Sequence, residues 1–219
     1  MAKKQFAVIG LGRFGSSMAL SLRKLGLEVL AIDQDDTLVQ DIANRVTHAV
    51  QADSTDEEAL RALGIRNFDV VVVAIGQDIQ ASILTTLILK DMGIAKLIVK
   101  AQNELHGKVL TKIGADKVVY PERDMANRVA NQLIFPNILD YIELTEDYSI
   151  AELKTTNGMG GKNLRQLNIR AKYRCNVLAI KTGDKINIAP SPDDVIKDQD
   201  ILVVVGKNDD LRALENAYT

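Results

Sequence analysis

Apolar residues along this chain come in short unbroken runs, and longer amphipathic stretches separate them. In the first half the runs are QFAVIG (5–10), EVLAID (28–33), HAVQAD (48–53), DVVVVAIG (69–76), KLIVKA (96–101) and KVVYPE (117–122), each read as a strand. Between them, 14–26, 36–45, 55–63, 78–92 and 104–114 carry helical spacing. Gly26, Gly64, Gly93 and Gly114 fall at the expected helix ends, where a left-handed residue is favoured. Strands that are nearly all apolar, each followed by a helix, call for a parallel sheet covered on both faces. The pattern predicts an α/β fold: a Rossmann-like, doubly wound parallel sheet.

A helix-like stretch at 123–133 runs up to FPN (135–137), where Pro136 should end it and mark a hinge. The rhythm then changes to short strands joined by tight turns: SIAELK (149–154), CNVLAIK (175–181), KINIAP (185–190) and DILVVVG (200–206). TGDK (182–185) reads as a hairpin turn, and NDDLRALENA (208–217) as a closing helix capped by Asn or Asp. Two domains are expected, a Rossmann-like one over 1–134 and a small α+β lobe over 135–219.

Composition narrows the function classes. The net charge is −2 and charges of both signs are interspersed, so no basic patch marks nucleic acid as a partner. The longest apolar run, 70–75, is far short of the ~20 residues of a membrane helix. The N-terminus enters a strand pattern without signal-peptide anatomy, and the single cysteine, Cys175, allows no internal disulfide. These features lead us to expect a soluble, cytoplasmic protein.

The candidate chemistry begins in FAVIGLGRFG (6–15). Gly10, Gly12 and Gly15 form G-x-G-x-x-G between a strand and a helix. The first glycine permits the tight turn, the second lets a pyrophosphate approach the backbone, and the third lets helix and strand pack closely. Asp33 ends the next strand, eighteen residues after Gly15, where a carboxylate can accept from ribose hydroxyls. The ligand class is therefore an adenine nucleoside carrying a diphosphate, and the alternative is a set of turn glycines beside a solvated aspartate. Arg13 and Phe14 lie inside the loop. A guanidinium at Arg13 could reach a terminal phosphate, in its own site or in a neighbouring subunit; the alternative is an exposed surface arginine.

Further candidates sit at the carboxyl ends of later strands. Asp53, Ser54 and Thr55 could border the adenine, and Ser54 and Thr55, with Glu57 and Glu58 three residues on, could cap a helix at the same time. Ala74, Ile75 and Gly76 are small enough at their strand end to let a nucleotide pass. Lys100 could contact phosphate and Glu122 could bind a divalent cation, while the alternative for each is a solvated charge. A catalytic apparatus is missing from the pattern. His48 and His106 read as surface residues, Cys175 as a buried structural thiol, and no metal-ligand cluster or nucleophile motif stands out. The chain reads as a non-enzyme, with an NAD(H)-binding oxidoreductase or NAD(H) sensor as the alternative.

IGLGRFG, VVAIGQDIQASILTTLILKDMG, VKAQNELHGKVLTKIGADKVVYPERDMA and LNIRAKYRCNVLAIK together resemble the RCK family, regulators of conductance of K⁺. They are similar in particular to the cytosolic, KtrA/KtrC-like gating subunits of Ktr-type potassium uptake systems. The resemblance runs from Gln5 to the last helix. It implies a homodimer assembling into an octameric ring beneath a KtrB-like, membrane-embedded potassium translocating subunit, so the protein would be peripheral to the inner face of the membrane. It implies binding of ATP, which activates, or ADP, which inactivates. Gly10, Gly12 and Gly15 match the family's phosphate loop, Arg13 its γ-phosphate arginine across the dimer, and Asp33 its ribose ligand. Asp53, Ser54 and Thr55 match the segment near the base, Lys100 a phosphate contact, and Glu122 the carboxylate for a divalent cation, Mg²⁺ or Ca²⁺, between two nucleotides. The second domain is similar to the family's C-lobe, which dimerises and binds inhibitory cyclic di-AMP. Leu164, Arg170, Asn176 and Pro192 fall in the segments matching that pocket. A departure is the glycine-rich GMGGKN (158–163) at its entrance, and the alternative for this lobe is a plain dimer interface.

Overall fold

The structure, a computed structural model, describes residues 4–134, 137–156 and 158–218. The chain divides after Arg123 into two compact units. In the first, β1 (Gln5–Ile9), β2 (Glu28–Asp33), β3 (His48–Gln51), β4 (Val70–Val73), β5 (Leu97–Lys100) and β6 (Lys117–Val119) alternate with helices. The helices are α1 (Arg13–Lys24), α2 (Asp36–Ala43), α3 (Glu57–Ala62), α4 (Ile79–Asp91) and α5 (Glu104–Ile113), with a 3₁₀ turn at Ile65–Asn67. The six strands are all parallel in the order β3-β2-β1-β4-β5-β6.

The apolar runs are continuous because both faces of this sheet are buried. Ala7, Ile9, Ile32, Val71 and Val73 join Leu60, Leu89 and Leu110 in one core. Their strand neighbours Val8, Ala31 and Val72 join Ala19, Val39 and Ile42 in another. The expected Rossmann-like sheet is therefore what the residues build. Gly26, Gly64, Gly93 and Gly114 take positive φ where their helices end. The strand order reverses between β1 and β4, and such a reversal opens a crevice at the carboxyl edge.

The sixth strand is shorter than the run KVVYPE. It stops at Val119, and α6 (Pro121–Ile134) starts at a proline whose fixed φ suits the first helical position. Glu122 therefore lies in the first turn of a helix. The hinge expected at 135–137 rests on Phe135 and Pro136, which lie outside the described residues.

The second unit carries β7 (Ile138–Glu143), β8 (Tyr148–Lys154), α7 (Leu164–Leu167), α8 (Ile169–Tyr173), β9 (Asn176–Thr182), β10 (Lys185–Asn187), β11 (Ile201–Lys207) and α9 (Asn208–Asn216). Its antiparallel sheet has the order β10-β9-β11-β8-β7, over a core that includes Leu153, Met159, Leu167, Ile196, Leu202 and Leu214. Gly183 and Asp184 make the expected two-residue hairpin turn between β9 and β10. β7 is absent from the sequence reading, because ILDYIE has no period of two. The closing helix departs from expectation as well, since Lys207 occupies its cap position and no side chain caps it. Asn208 instead accepts from Tyr141 Oη at 2.6 Å and Ser149 Oγ at 2.8 Å, tying the helix start to β7 and β8.

Candidate functional site

The turn after β1 is built by three glycines with different constraints. Gly10 has φ +90°, and a Cβ there would approach the backbone N of Ile75 to 2.9 Å. A Cβ on Gly15 would overlap the carbonyl oxygen of Gly10, so α1 can lie against the turn only with glycine there. Gly12 has extended backbone, and a Cβ on it would meet nothing within 4 Å. No protein contact requires Gly12 to be glycine. Ser16 Oγ donates to Leu11 O at 2.6 Å, and Asp33 Oδ2 accepts from Leu11 N at 2.5 Å, so the turn is held from both sides.

Electrostatics set α1 apart. Helices α2 to α5 begin with side-chain caps from Asp35, Asp56, Asp78 and Asn103. α1 begins at Gly12 with no side-chain cap and no acidic residue in its first turn. The first turn of a helix presents amides that lack intrahelical acceptors, together with a partial positive charge. Arg13 adds a full positive charge at that end and forms no ion pair among the described residues. A cation at the positive end of a helix is unfavourable, and an anion arriving from outside reverses the sign of that term.

These groups open onto a cleft of about 710 Å³ at the carboxyl edge of the sheet. Of the residues singled out from the sequence, Gly10, Gly12, Arg13, Phe14, Asp33, Asp53 and Ser54 line it. Ala74, Ile75, Gly76, Lys100 and Glu122 line it as well. Gly15 and Thr55 do not; Gly15 is buried under the turn, and Thr55 serves Asp53. Asp33 Oδ1 also accepts from Asp35 N at 2.9 Å, so each of its oxygens holds one backbone amide and keeps a lone pair. Asp53 accepts from Thr55 Oγ1 at 2.7 Å and Thr55 N at 2.8 Å, and these bonds hold its carboxyl below the ordinary aspartate value. The cap expected from Ser54 or Thr55 is supplied by Asp56, which accepts from Glu58 N and Ala59 N. Ser54 turns inward to Thr85, with the two hydroxyls 2.9 Å apart.

Lys100 is nearly buried. Its Nζ lies 2.5 Å from Glu122 Oε1 and 6.0 Å from the centre of the Phe14 ring. The Lys100 hydrogen bond holds the Glu122 carboxyl below its ordinary value, opposed by partial burial, and the Arg13 charge adds to the lowering. Gln34, Leu38, Gln77, Asp78, Gln102 and Asn103 line the cleft without having been singled out. Asp78 and Asn103 carried a local signal as helix caps. Gln102 carried none, and its side-chain amide donates to Gly76 O across the edge.

Among the described residues that line the cleft there is no histidine. His48 is exposed, as expected, but His106 is buried, which corrects the surface reading. Its Nδ1 accepts from Gln102 N at 3.3 Å, while Nε2 has no hydrogen-bond partner among the described residues. Burial lowers its pKa from the ordinary 6.5. A histidine held neutral in the folded state stabilises fully above 6.5, and that contribution is lost as pH falls through the lowered value. An NMR titration of the His106 ring is expected to show a midpoint below 6.5, with thermal stability falling over the same window. A midpoint at or above 6.5 would show that burial does not control this ring.

In the second unit, Leu164, Arg170, Asn176 and Pro192 line one cleft of about 320 Å³. Arg165, also lining it, forms an ion pair with Asp193 at 3.1 Å. GMGGKN folds Met159 fully into the core, and Asn163 then caps α7 reciprocally with Gln166. Cys175 is buried and its thiol is pushed up to about 11 by burial and by the Asp210 charge, as suits a structural thiol. Among the described residues, no helix is long and apolar enough to cross a membrane.

Comparison with known proteins adds the family. Residues 6–121 match the TrkA-N domain family and residues 150–218 the TrkA-C domain family. Over 213 residues the chain is 52% identical to Ktr system potassium uptake protein C of Bacillus subtilis (strain 168), covering 97% of this chain and 96% of that protein. It is 51% identical over 213 residues to Ktr system potassium uptake protein A of the same organism, with the same coverage of each chain. The crystal structure of GsuK bound to ADP superposes with a TM-score of 0.52 at 26% identity, over 59% of this chain and 34% of that one.

Proposed function

This chain belongs to the TrkA-N/TrkA-C family of Ktr potassium uptake proteins, the RCK regulatory subunits, and we propose that its N-terminal cleft takes ATP or ADP as a regulatory signal. The observation that carries this reading is the start of α1, where an uncapped, acid-free helix end meets the open face of Gly12 and the charge of Arg13. Those features suit polyphosphate. Asp33, with a lone pair left on each oxygen, suits ribose. Asp53, Ser54, Ala74, Ile75 and Gly76 line the same cleft, where the base and the chain of phosphates would lie. The ADP-bound structure of GsuK supports the same ligand class, and the Ktr names of the relatives support a role in potassium uptake.

In this reading ATP favours the conducting state of a membrane-embedded potassium translocating subunit and ADP the inactive state. The 1–134 domain holds the nucleotide and the 135–219 domain pairs with a second copy. Dimers assemble into an octameric ring at the cytoplasmic face of the membrane. The γ-phosphate adds charge and acceptor oxygens that Arg13 can bind and that ADP lacks, and only such differential affinity shifts a conformational equilibrium. Glu122 is the chain's carboxylate for a divalent cation, Mg²⁺ or Ca²⁺. It is paired with Lys100, and no group of three or more His, Cys, Asp or Glu converges among the described residues. The other ligands of such a cation are therefore phosphate oxygens, water or a second copy of the chain. The cleft at Leu164, Arg170, Asn176 and Pro192 is the corresponding candidate for cyclic di-AMP.

Calorimetry on the purified protein with ATP, ADP, NADH and cyclic di-AMP, with and without Mg²⁺, tests the reading. Clear ATP and ADP binding with weak NADH binding is the expected result. Tight NADH binding with indifference to ATP would overturn it in favour of an NAD(H) protein, a ligand that Asp33 alone does not reject.

A further inference from the structure

Among the described residues Lys100 is the only cleft-lining ammonium, and its surroundings limit what it can do. The residue is 9% exposed, and its Nζ lies 6.0 Å from the centre of the Phe14 ring and beside Gly76, where an added Cβ would come within 3.2 Å of it. A cation this far out of water requires an anion beside it. Glu122 fills that role at 2.5 Å, and its own side chain is 64% exposed. The pair is lopsided, because the lysine needs a partner while the glutamate can return to solvent at little cost. The same cleft holds the uncapped start of α1, where a phosphate would bring a second anion.

We propose that Lys100 is an ammonium for which Glu122 and a ligand phosphate compete, so that phosphate binding in the cleft releases the Glu122 carboxylate to take a cation. The proposal rests on the nucleotide reading above and adds to it an order of events. Without nucleotide, Lys100 occupies the position on Glu122 that a divalent cation would take. With nucleotide, Lys100 turns to the phosphate, and Glu122 is left anionic beside Arg13 and new phosphate oxygens. Nucleotide and cation then strengthen each other's binding by the same factor, as linkage requires. The Arg13 charge already acts on Glu122, so the freed carboxylate lies within a field that keeps it ionised.

The test is ADP binding by calorimetry in EDTA, so that no cation takes part, on the full chain and on Glu122→Gln, Lys100→Met and the double variant. Removing the competitor is expected to tighten ADP by about two- to fivefold in Glu122→Gln, the range set by a partly exposed ion pair. In the Lys100→Met background the same change should have no effect. An equal gain in both backgrounds would mean that Glu122 merely repels the phosphate, and a loss of affinity in Glu122→Gln would mean that it supports binding; either overturns the exchange while the nucleotide reading stands. No ADP binding by the wild-type chain, with or without Mg²⁺, would overturn both. If Lys100→Met does not fold, ¹³Cε and ¹⁵Nζ resonances of Lys100 in the wild-type chain decide the matter. They should move on ADP addition, and unmoved resonances at saturation would overturn the proposal.

Discussion

Gly12→Ala is expected to leave the protein folded and to weaken ADP and ATP binding by about 100-fold or more, the equivalent of losing two charge-assisted hydrogen bonds. The reason is the unusual freedom around this residue. A Cβ on Gly12 meets nothing within 4 Å and its backbone is extended, so alanine fits the chain without strain. Losing glycine at a helix cap costs about 1 kcal/mol of stability at most. The methyl group would project into the space from which phosphate oxygens reach the first-turn amides of α1. Gly15→Ala is the control, because its Cβ would overlap the Gly10 carbonyl. Backbone would have to move, and a loss of about 3 kcal/mol or more is expected. Thermal melts and calorimetry on the two variants should therefore give opposite results: Gly12→Ala stable but weakly binding, Gly15→Ala unstable. Nucleotide affinity unchanged in Gly12→Ala would remove the phosphate role of this loop.

Arg13→Ala separates the two nucleotides. The side chain is exposed, stands in the first turn of α1 and forms no ion pair among the described residues, so its loss removes an unfavourable charge from the helix start. Stability should hold or rise by a few tenths of a kcal/mol. A guanidinium that reaches the terminal phosphate contributes about 1.5–3 kcal/mol through charge-assisted bonds, so ATP affinity should fall roughly 10- to 100-fold. ADP, without that phosphate, should lose far less. Equal loss for both nucleotides would assign Arg13 to the general field of the loop, and the ATP-specific part of the switch would need another residue.

The legible parts of the protein are those whose chemistry is local in the chain. Gly10, Gly12 and Gly15 are spaced as one turn requires, and Asp33 stands at the end of the neighbouring strand, so both could be found without coordinates. Lys100 and Glu122 could be named individually as charges at strand ends, but nothing in the sequence said that they touch. They are 22 residues apart and meet because β5 pairs with β6 in parallel, with Lys100 opposite Val119. Gln102 escaped notice because a glutamine in a loop has no pattern, and its bond to Gly76 O spans 26 residues. Asn208 was misjudged for a related reason. An asparagine at a helix start is a sound cap by local rules, yet two hydroxyls 59 and 67 residues away claim its oxygen. His106 shows the same limit, since helical spacing does not reveal which face of α5 the rest of the molecule covers.

Hydrophobic runs and glycine spacing alone thus determined a parallel sheet buried on both faces, and the turn that offers backbone amides to an anion. Both depend on backbone conformation within a few residues, which side-chain size and polarity dictate directly. Tertiary structure alone decided which charges would face each other across the cleft: Lys100 with Glu122, and Arg13 near enough to bias that pair. Ion pairing falls off within a few ångströms, and those distances follow from the order in which strands associate, not from their order in the chain.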